Sequence, residues 1–138
     1  MSDVAQVFVW PVRVYWEDTD AGGIVFYANY LKFFERARTE WLRSLSIEQQ
    51  RLRESTGGMF VVGETRMRYL RPARLDDELM VSARLEASGR ASLVIAQEAR
   101  LHPGDTLVCE GVIRIGWVDT ASLRPARIPP IILESLKQ

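Results

Sequence analysis

One short segment of the chain combines acidic residues with glycines, since residues 17–23 read Glu-Asp-Thr-Asp-Ala-Gly-Gly. Gly22 and Gly23 let the backbone adopt positive φ and let a ligand approach closely. A carboxylate beside them, such as Asp20, could attack an activated acyl group or deprotonate a water molecule. The alternative interpretation is structural: Asp18 and Asp20 could simply cap and turn the loop, as aspartates in glycine-rich turns usually do.

The residues after this loop predict a long helix, with Asn29 as its N-cap. The unpaired N–H groups at a helix start carry partial positive charge, and they can polarise a carbonyl oxygen or stabilise an oxyanion. A carboxylate on one side of a carbonyl group and such donors on the other are the parts needed to attack an acyl group. A thioester suits them, because its thiolate (thiol pKa near ~8.5) leaves without a strong general acid.

The rest of the composition narrows the chemistry. His102 and Cys109 are the single histidine and the single cysteine, so we expect neither a metal centre nor a Ser-His-Asp or Cys-His triad. No glycine-rich nucleotide-binding loop follows a strand and opens a helix, and we expect no cofactor. Cys109 lies in a strand-like run, which favours a buried thiol over a nucleophile.

The charge balance and the hydropathy pattern limit the partners and the compartment. The chain has 18 basic and 18 acidic side chains, so no net field attracts nucleic acid or an anionic membrane. No apolar run approaches the ~20 residues that span a bilayer, and residues 1–6 lack the features of a signal peptide. We therefore expect a cytoplasmic protein whose residues 1–138 form a single domain.

Apolar periodicity predicts the elements that position the loop. A first strand spans Val7–Trp16, and aromatic residues at three- and four-residue steps give the following helix one apolar face. Ser46 starts a capping-box spacing that predicts a second, short helix, which ends at Gly57. Four strands with a period of two follow, over residues 60–70, 79–87, 91–101 and 107–118, with a two-residue turn at Gly89-Arg90 and a helical turn at 131–136.

This order of elements predicts an α+β fold, in which an antiparallel five-stranded sheet wraps around one long central helix. A single helix cannot cover both faces of such a sheet, and a sheet face must be buried against something. We therefore expect copies of the chain to pair edge to edge, as a homodimer at least.

Two stretches of the sequence resemble the 4-hydroxybenzoyl-CoA thioesterase family. The first runs from Arg13 to Arg43 and includes Asp-x-Asp-x-x-Gly-[IV]-[VI]; the second, over residues 69–77, reads Tyr-Leu-Arg-Pro-Ala-Arg-Leu-Asp-Asp. Both look most like the branch encoded beside the bacterial Tol–Pal system. The resemblance implies the hotdog fold, dimerised into a continuous sheet and often arranged as a dimer of dimers, and it implies acyl-CoA as the substrate.

The resemblance also implies roles for individual residues. Asp20 matches the catalytic aspartate, and Tyr27 matches the residue whose backbone N–H polarises the thioester carbonyl. Arg90 and Ser92 fall in the hairpin that in relatives helps to hold the CoA nucleotide, commonly across the subunit interface. The Tol–Pal branch typically has histidine at the position of Tyr27, whereas the 4-hydroxybenzoyl enzyme has tyrosine, so the acyl preference stays open.

Three hypotheses for the function stay distinct at this point. The first is acyl-CoA hydrolysis with Asp20 as nucleophile or general base and no metal. The second is hydrolysis of acyl groups carried by acyl carrier protein. The third is a non-enzymatic hotdog scaffold that binds envelope or lipid-synthesis proteins. The acyl pocket could be lined by Phe26, Tyr27, Phe60 and Tyr69, which suit an aromatic or an aliphatic group equally well.

Overall fold

The structure, a computed structural model, describes residues 7–137 as one antiparallel sheet and three α-helices. The sheet order is β1-β3-β4-β5-β2, so β1 and β2 form its two edges. The strands are β1 (Phe8–Arg13), β2 (Gly58–Tyr69), β3 (Glu78–Ser88), β4 (Ser92–His102) and β5 (Leu107–Asp119), and the helices are α1 (Asn29–Ser44), α2 (Gln49–Thr56) and α3 (Pro130–Leu136).

The sheet curves around α1, which confirms the predicted α+β hotdog fold. Alternate residues of the three central strands point at the helix and are buried, as the two-residue period of a strand requires. On the helix, side chains at three- and four-residue steps meet them, and this confirms the predicted apolar face. The core includes Phe33, Phe34, Ala37, Trp41 and Leu42 on α1 and Leu79, Val81, Leu93, Ile95, Cys109 and Ile113 on the strands.

The start of α1 differs from the prediction. The N-cap residue is Ala28, whose side chain cannot accept a hydrogen bond, and Asn29 is the first residue of the helix. Asn29 is buried, and its side-chain amide donates a 2.9 Å hydrogen bond to Oδ1 of Asp18. The prediction of Asn29 as the N-cap is wrong because its amide serves a tertiary contact with the preceding loop.

Three other local predictions also need correction. The first strand ends at Arg13, because residues 16–18 turn into a short 3-10 helix. Helix α2 begins after Glu48, without a side-chain cap, since Ser46 adopts a left-handed φ of 64°. The turn between β3 and β4 contains Gly89, Arg90 and Ala91, one residue more than predicted. The predicted stop of α2 at Gly57 is confirmed, and this residue has a φ of 73°.

The buried side-chain amide of Gln97 ties α1 to the sheet. Gln97 of β4 is 1% exposed, and its Nε2 donates to the Phe34 carbonyl of α1 at 3.0 Å and to the Ser82 carbonyl of β3 at 3.1 Å. Its Oε1 accepts a 2.9 Å hydrogen bond from the Arg38 guanidinium. Every polar atom of this amide therefore has a partner, which a buried amide requires to be stable.

The two flanks of α1 are covered to different degrees. On the flank toward β1 and β3, which we call the closed flank, Leu79, Val81 and Ala83 are fully buried. On the flank toward β2, the open flank, Val62 is 54% and Tyr69 47% exposed although they belong to the inner face of the sheet. Among residues 7–137, none of the helices combines the length and the apolar character that a bilayer-spanning segment needs.

Candidate active site

The acidic, glycine-rich segment forms a small hairpin before α1. Thr19 pairs with Val25 in an antiparallel bridge, and the Asp20 N–H donates to the Ile24 carbonyl at 2.9 Å. The Gly23 N–H closes the tip with a 3.0 Å hydrogen bond to the Asp20 carbonyl. Gly23 has a φ of 80°, in the left-handed region that favours glycine. The predicted turn is therefore present, with Asp20 at its tip.

The Asp20 side chain is held on one oxygen only. Its Oδ1 accepts a 2.9 Å hydrogen bond from the Gly22 N–H, which fixes the orientation of the carboxylate. Among residues 7–137, no donor contacts Oδ2, and Asp20 is exposed. A Cβ on residue 22 would lie 3.2 Å from Oδ1, tighter than an ordinary van der Waals contact. The geometry leaves one oriented carboxylate oxygen available to a ligand.

Asp18 has the opposite environment, although it lies two residues away. It is 3% exposed, and its Oδ2 accepts a 2.9 Å hydrogen bond from the Tyr15 N–H while Oδ1 accepts from Asn29. Its backbone carbonyl accepts from the Phe26 N–H at 2.8 Å. For Asp18 the structural interpretation is the right one, since both of its oxygens are used to join the loop to α1.

The chain enters α1 beside the base of this hairpin. The hydrogen bond between Phe26 and Asp18 continues the hairpin ladder, so Phe26 lies opposite Asp18. Asp20 is two residues further along the same strand, so Phe26 and Asp20 are offset by about 7 Å along the hairpin. The next residue is Tyr27, whose backbone N–H has no acceptor among residues 7–137. A thioester carbonyl placed in this interval could meet the carboxylate on one side and the helix-start donor on the other.

Aromatic side chains surround this helix start. The rings of Tyr27 and Tyr69 meet edge to face with centroids 6.0 Å apart, and Tyr30 lies 5.9 Å from Tyr69. Phe26 contacts Tyr27 at 4.9 Å. Burial raises the pKa of the Tyr69 hydroxyl, and the neighbouring thiol of Cys109 adds to the shift. These rings form an apolar wall at the start of α1, where an acyl group or the start of the CoA arm could pack.

The predicted CoA-holding residues lie at the other end of the sheet. Ser92 begins β4 opposite Gly116, whereas Ala99 pairs with Cys109, next to Tyr69. Seven residues of extended strand, about 23 Å, therefore separate Ser92 from the aromatic wall. Arg90 is exposed in the hairpin, and its carbonyl accepts a 2.8 Å hydrogen bond from Ile128 N–H. Within one copy of the chain, the structure does not bring Arg90 and Ser92 to Asp20.

Other groups that could act chemically lie elsewhere. His102 is 3.9 Å from a carboxylate oxygen of Glu78, at the exposed end of β4. Cys109 is buried, as predicted, and burial raises the pKa of its thiol to about 12 with a smaller contribution from Glu110. In the part of the chain that the structure describes, no three histidine, cysteine or acidic side chains come together in a potential metal site.

Sequence reasoning missed one polar feature of the interior, the contact between Arg38 and Gln97. The signal was present in β4, where Leu93, Ile95 and Ala99 alternate with outward residues and Gln97 occupies an inward position. A polar residue at such a position needs internal partners. The partner Arg38 could not be found from the helix pattern, because it lies at the border of the apolar face.

Comparisons with known proteins agree on one family. The model of the thioesterase-like superfamily matches residues 14–136. The chain is 41% identical over 132 residues to the acyl-CoA thioester hydrolase YbgC of Escherichia coli, covering 96% of this chain and 97% of that one. It is 43% identical over 122 residues to the acyl-CoA thioesterase YbgC of Haemophilus influenzae, covering 88% of each. A probable thioesterase from Bartonella henselae superposes with a TM-score of 0.84 at 30% identity, covering 90% of this chain and 100% of that one.

Proposed function

The chain belongs to the thioesterase-like superfamily, and on that premise we propose that it hydrolyses acyl-CoA thioesters with Asp20 as the reactive carboxylate. The observation that carries this proposal is the contrast within the loop. Among residues 7–137, Asp20 is oriented by the Gly22 N–H and no donor contacts its Oδ2, and the Tyr27 N–H at the nearby start of α1 has no acceptor. An oriented acceptor facing a helix-start donor is the minimal equipment for attack on a thioester.

The proposed chemistry uses both groups on the same carbonyl. The Tyr27 N–H donates to the thioester oxygen and stabilises the negative charge that develops there. Asp20 either deprotonates a water molecule that attacks the carbonyl carbon, or attacks it directly and forms an anhydride that water then hydrolyses. In both cases the C–S bond breaks, CoA leaves as a thiolate that takes up a proton, and the acyl group leaves as the free acid.

We further propose that two copies of the chain complete the site through the edge strand β2. Two inward residues of β2, Val62 and Tyr69, are exposed, and the strand pairs only with β5 among residues 7–137. Antiparallel pairing of two β2 strands about a two-fold axis would place the Gly58 end of one copy beside the Tyr69 end of the other. The hairpin with Arg90 and Ser92 lies at the Gly58 end, so the partner copy could supply them to the CoA nucleotide.

Within the superfamily, we propose that the chain belongs to the Tol–Pal-associated branch. The identity to the YbgC proteins and the second family-like stretch, over residues 69–77, support this placement. The single cysteine, Cys109, is free and buried, which suits the reducing cytoplasm that we propose as the location. Acyl carrier protein stays a possible alternative carrier of the acyl group, and a dimer of dimers a possible assembly.

The test of the proposed function is the Asp20→Asn variant, measured by release of free thiol from a panel of short, long and aromatic acyl-CoAs. The amide keeps the size and the acceptor oxygen of the carboxylate but cannot deprotonate water, so we expect kcat to fall by about 10² to 10⁴. Far-UV circular dichroism and Tm should stay unchanged, because the Asp20 side chain is exposed.

The matched control is Tyr27→Ala, which removes the side chain but keeps the backbone N–H. We expect this variant to keep kcat within about tenfold of the wild type on the smallest acyl-CoA. Asp20→Asn turnover close to that of the wild type on every acyl-CoA would refute the assignment. If the same acyl chain were hydrolysed only when acyl carrier protein carries it, the substrate would be acyl-carrier-protein thioesters and not acyl-CoA.

A further inference from the structure

A cavity of about 130 Å³ lies on the open flank, deep between α1 and β2. Its floor is apolar and its rim is polar. Leu42, Phe60, Val62, Ile95 and Ile115 contribute the apolar atoms, and Glu35, Arg38, Thr39 and Gln49 contribute polar ones. A cavity with an apolar floor and a few polar groups is the usual form of a small-molecule site.

Arg38 is the unusual member of this lining. Its guanidinium is half-buried, and its single hydrogen bond to another side chain within residues 7–137 goes to the neutral Gln97. In the same part of the chain it forms no ion pair with a carboxylate. Burial lowers the pKa of Arg38, and the nearby Glu35 carboxylate only partly offsets this shift. A desolvated cation with free N–H donors is costly unless an anion joins it.

The cavity and the proposed reaction site lie on the same side of α1, between this helix and β2, and we call the stretch between them the trough. Leu31, Glu35, Arg38 and Leu42 follow each other at three- and four-residue steps and so share one face of α1, on the side of Tyr27. Opposite them, the inner face of β2 runs from Val62 to Tyr69, and Tyr69 contacts Tyr27. Arg38 follows Tyr27 by eleven residues, about 16 Å of helix, and its side chain leans back toward the helix start.

We propose that this trough holds the acyl chain and that Arg38 binds a carboxylate at its far end, so that acyl-CoAs of medium-length dicarboxylic acids are preferred substrates. The inference rests on the proposed thioesterase function. The planar guanidinium can donate two parallel hydrogen bonds to a carboxylate, which a methyl group cannot accept. Because about 16 Å of helix separates Tyr27 from Arg38, we expect dicarboxylic chains of three or four carbons to be too short for this contact. Glu35 is exposed at the mouth and opposes the anion.

The experiment compares two substrates that differ only at the far end: octanoyl-CoA and suberoyl-CoA, its analogue with a terminal carboxylate. For each enzyme the measured quantity is the ratio of kcat/KM for suberoyl-CoA to that for octanoyl-CoA. We expect Arg38→Met to lower this ratio by about 10- to 100-fold, the value of a lost charged hydrogen bond. Arg43→Met is the matched control, because Arg43 lies on the same helix, is exposed and pairs with Glu40 at 2.7 Å; it should leave the ratio unchanged.

Two more variants keep the test decisive if Arg38→Met fails to fold. Glu35→Gln should raise the ratio, because it removes the opposing charge and leaves the guanidinium in place. Arg38→Lys should keep part of the preference, because it retains the charge but not the planar fork. A ratio that is equal in the wild type and in all variants would overturn the proposal; this is also the result expected if a carboxylate of a partner copy already neutralises Arg38.

A binding measurement separates this inference from the proposed function. In the Asp20→Asn variant the substrate should persist uncleaved, so calorimetry can compare the Kd values of suberoyl-CoA and octanoyl-CoA directly. Tighter binding of suberoyl-CoA that Arg38→Met abolishes would support the inference even if Asp20 proved dispensable. Rapid hydrolysis of octanoyl-CoA with no preference between the two would support the function and refute the inference.

Discussion

The closed and the open flank of α1 are built from similar residues but have different surroundings. Toward β3, the inward side chains Leu79 and Val81 are fully buried. Toward β2, Val62 and Tyr69 continue the same inner face and remain about half exposed. Burial of apolar surface contributes roughly 25 cal/mol per Å². The closed flank therefore stabilises the folded chain, whereas the exposed apolar surface of the open flank would contribute only when a ligand or a second copy covers it. Exposed apolar side chains on an inner sheet face are a candidate ligand or partner site.

The difference shows how one helix can serve two purposes. Its closed side, with Phe33 and Asn29, fixes α1 against β1, β3 and the loop before it. Its other side, with Leu31 and Arg38, faces a gap that residues 7–137 leave unfilled. Because the first side is rigidly packed, the second can present donors and apolar surface without collapsing, and this is what a preorganised site requires.

The largest effect on stability should come from the closed flank. Phe33→Ala removes a fully buried ring and leaves a cavity, so we expect the free energy of unfolding to fall by about 3–5 kcal/mol. Urea titration followed by circular dichroism measures this change. Val62→Ala is the comparison from the open flank and should cost under about 1 kcal/mol in a monomeric sample. Equal losses for the two variants would contradict the distinction between the flanks.

A smaller loss is expected where the closed flank supports the reactive loop. In Asp18→Asn one of the two acceptor oxygens becomes an NH2 group, which would face the Tyr15 N–H or the Asn29 amide. An unsatisfied buried donor costs about 1–3 kcal/mol. Thermal unfolding should show this destabilisation, together with lower turnover at temperatures where the variant is still folded. Stability and turnover equal to those of the wild type would show that this pair of hydrogen bonds does not hold the loop.

The open flank should affect assembly more than stability. Val62→Lys places a charge on the exposed inner face of β2, and we expect it to weaken self-association at least about tenfold because the charge would be desolvated between copies. Sedimentation velocity across a range of concentrations measures the change. Gln50→Lys, on the exposed face of α2, changes the net charge by the same +1 and is the matched control. Association that survives Val62→Lys undiminished would point to an interface other than β2.

The smallest expected effect concerns Cys109, which lies where the buried core meets the open flank. Cys109 pairs with Tyr69 across β5 and β2 but is itself buried, and burial raises the pKa of its thiol to about 12. The pKa of this thiol is higher in the folded chain than in the unfolded chain, where it is near ~8.5. Ionisation of the thiol therefore lowers the stability of the fold only as the pH rises above the unfolded pKa. A thiolate-directed reagent at mildly alkaline pH should label the native chain slowly and the urea-unfolded chain fast. Fast labelling of the native chain without denaturant would mean that Cys109 is accessible, and therefore that the open flank includes β5.

Sequence patterns predicted most of the fold, because periodicity reflects burial directly. The apolar steps from Tyr30 to Trp41 gave the helix face, and the alternation in β3 to β5 gave the strands. Helix and strand boundaries that depend on a single tertiary hydrogen bond could not be predicted from the sequence. Asn29 looks like a cap in isolation but donates to Asp18 instead, and nothing within a few residues of Asn29 indicates that contact.

For the site, the residues of the loop did not by themselves separate its two aspartates; only the family resemblance singled out Asp20, and that assignment stays a prediction. Residue type alone makes Asp18 and Asp20 equivalent, and only the structure shows that one has both oxygens occupied while the other has one free. The roles of Asp20 and Tyr27, and of Gly22, Gly23, Arg90 and Ser92, stay predictions for the experiments above. The separation of Arg90 from Asp20 depends on strand register, which no local pattern encodes.

The exposed edge of strand β2 also affects how readily newly synthesised chains aggregate. An uncovered strand edge accepts strands from other polypeptides, and this is a common route to aggregation. Here the outward side chains Glu64, Arg66 and Arg68 place one negative and two positive charges on the edge strand, and the bulge between Val62 and Glu64 interrupts its regular ladder. Such features penalise an arbitrary apolar strand. Overproduction should therefore be tolerated better by this chain than by a variant in which those three side chains are made neutral.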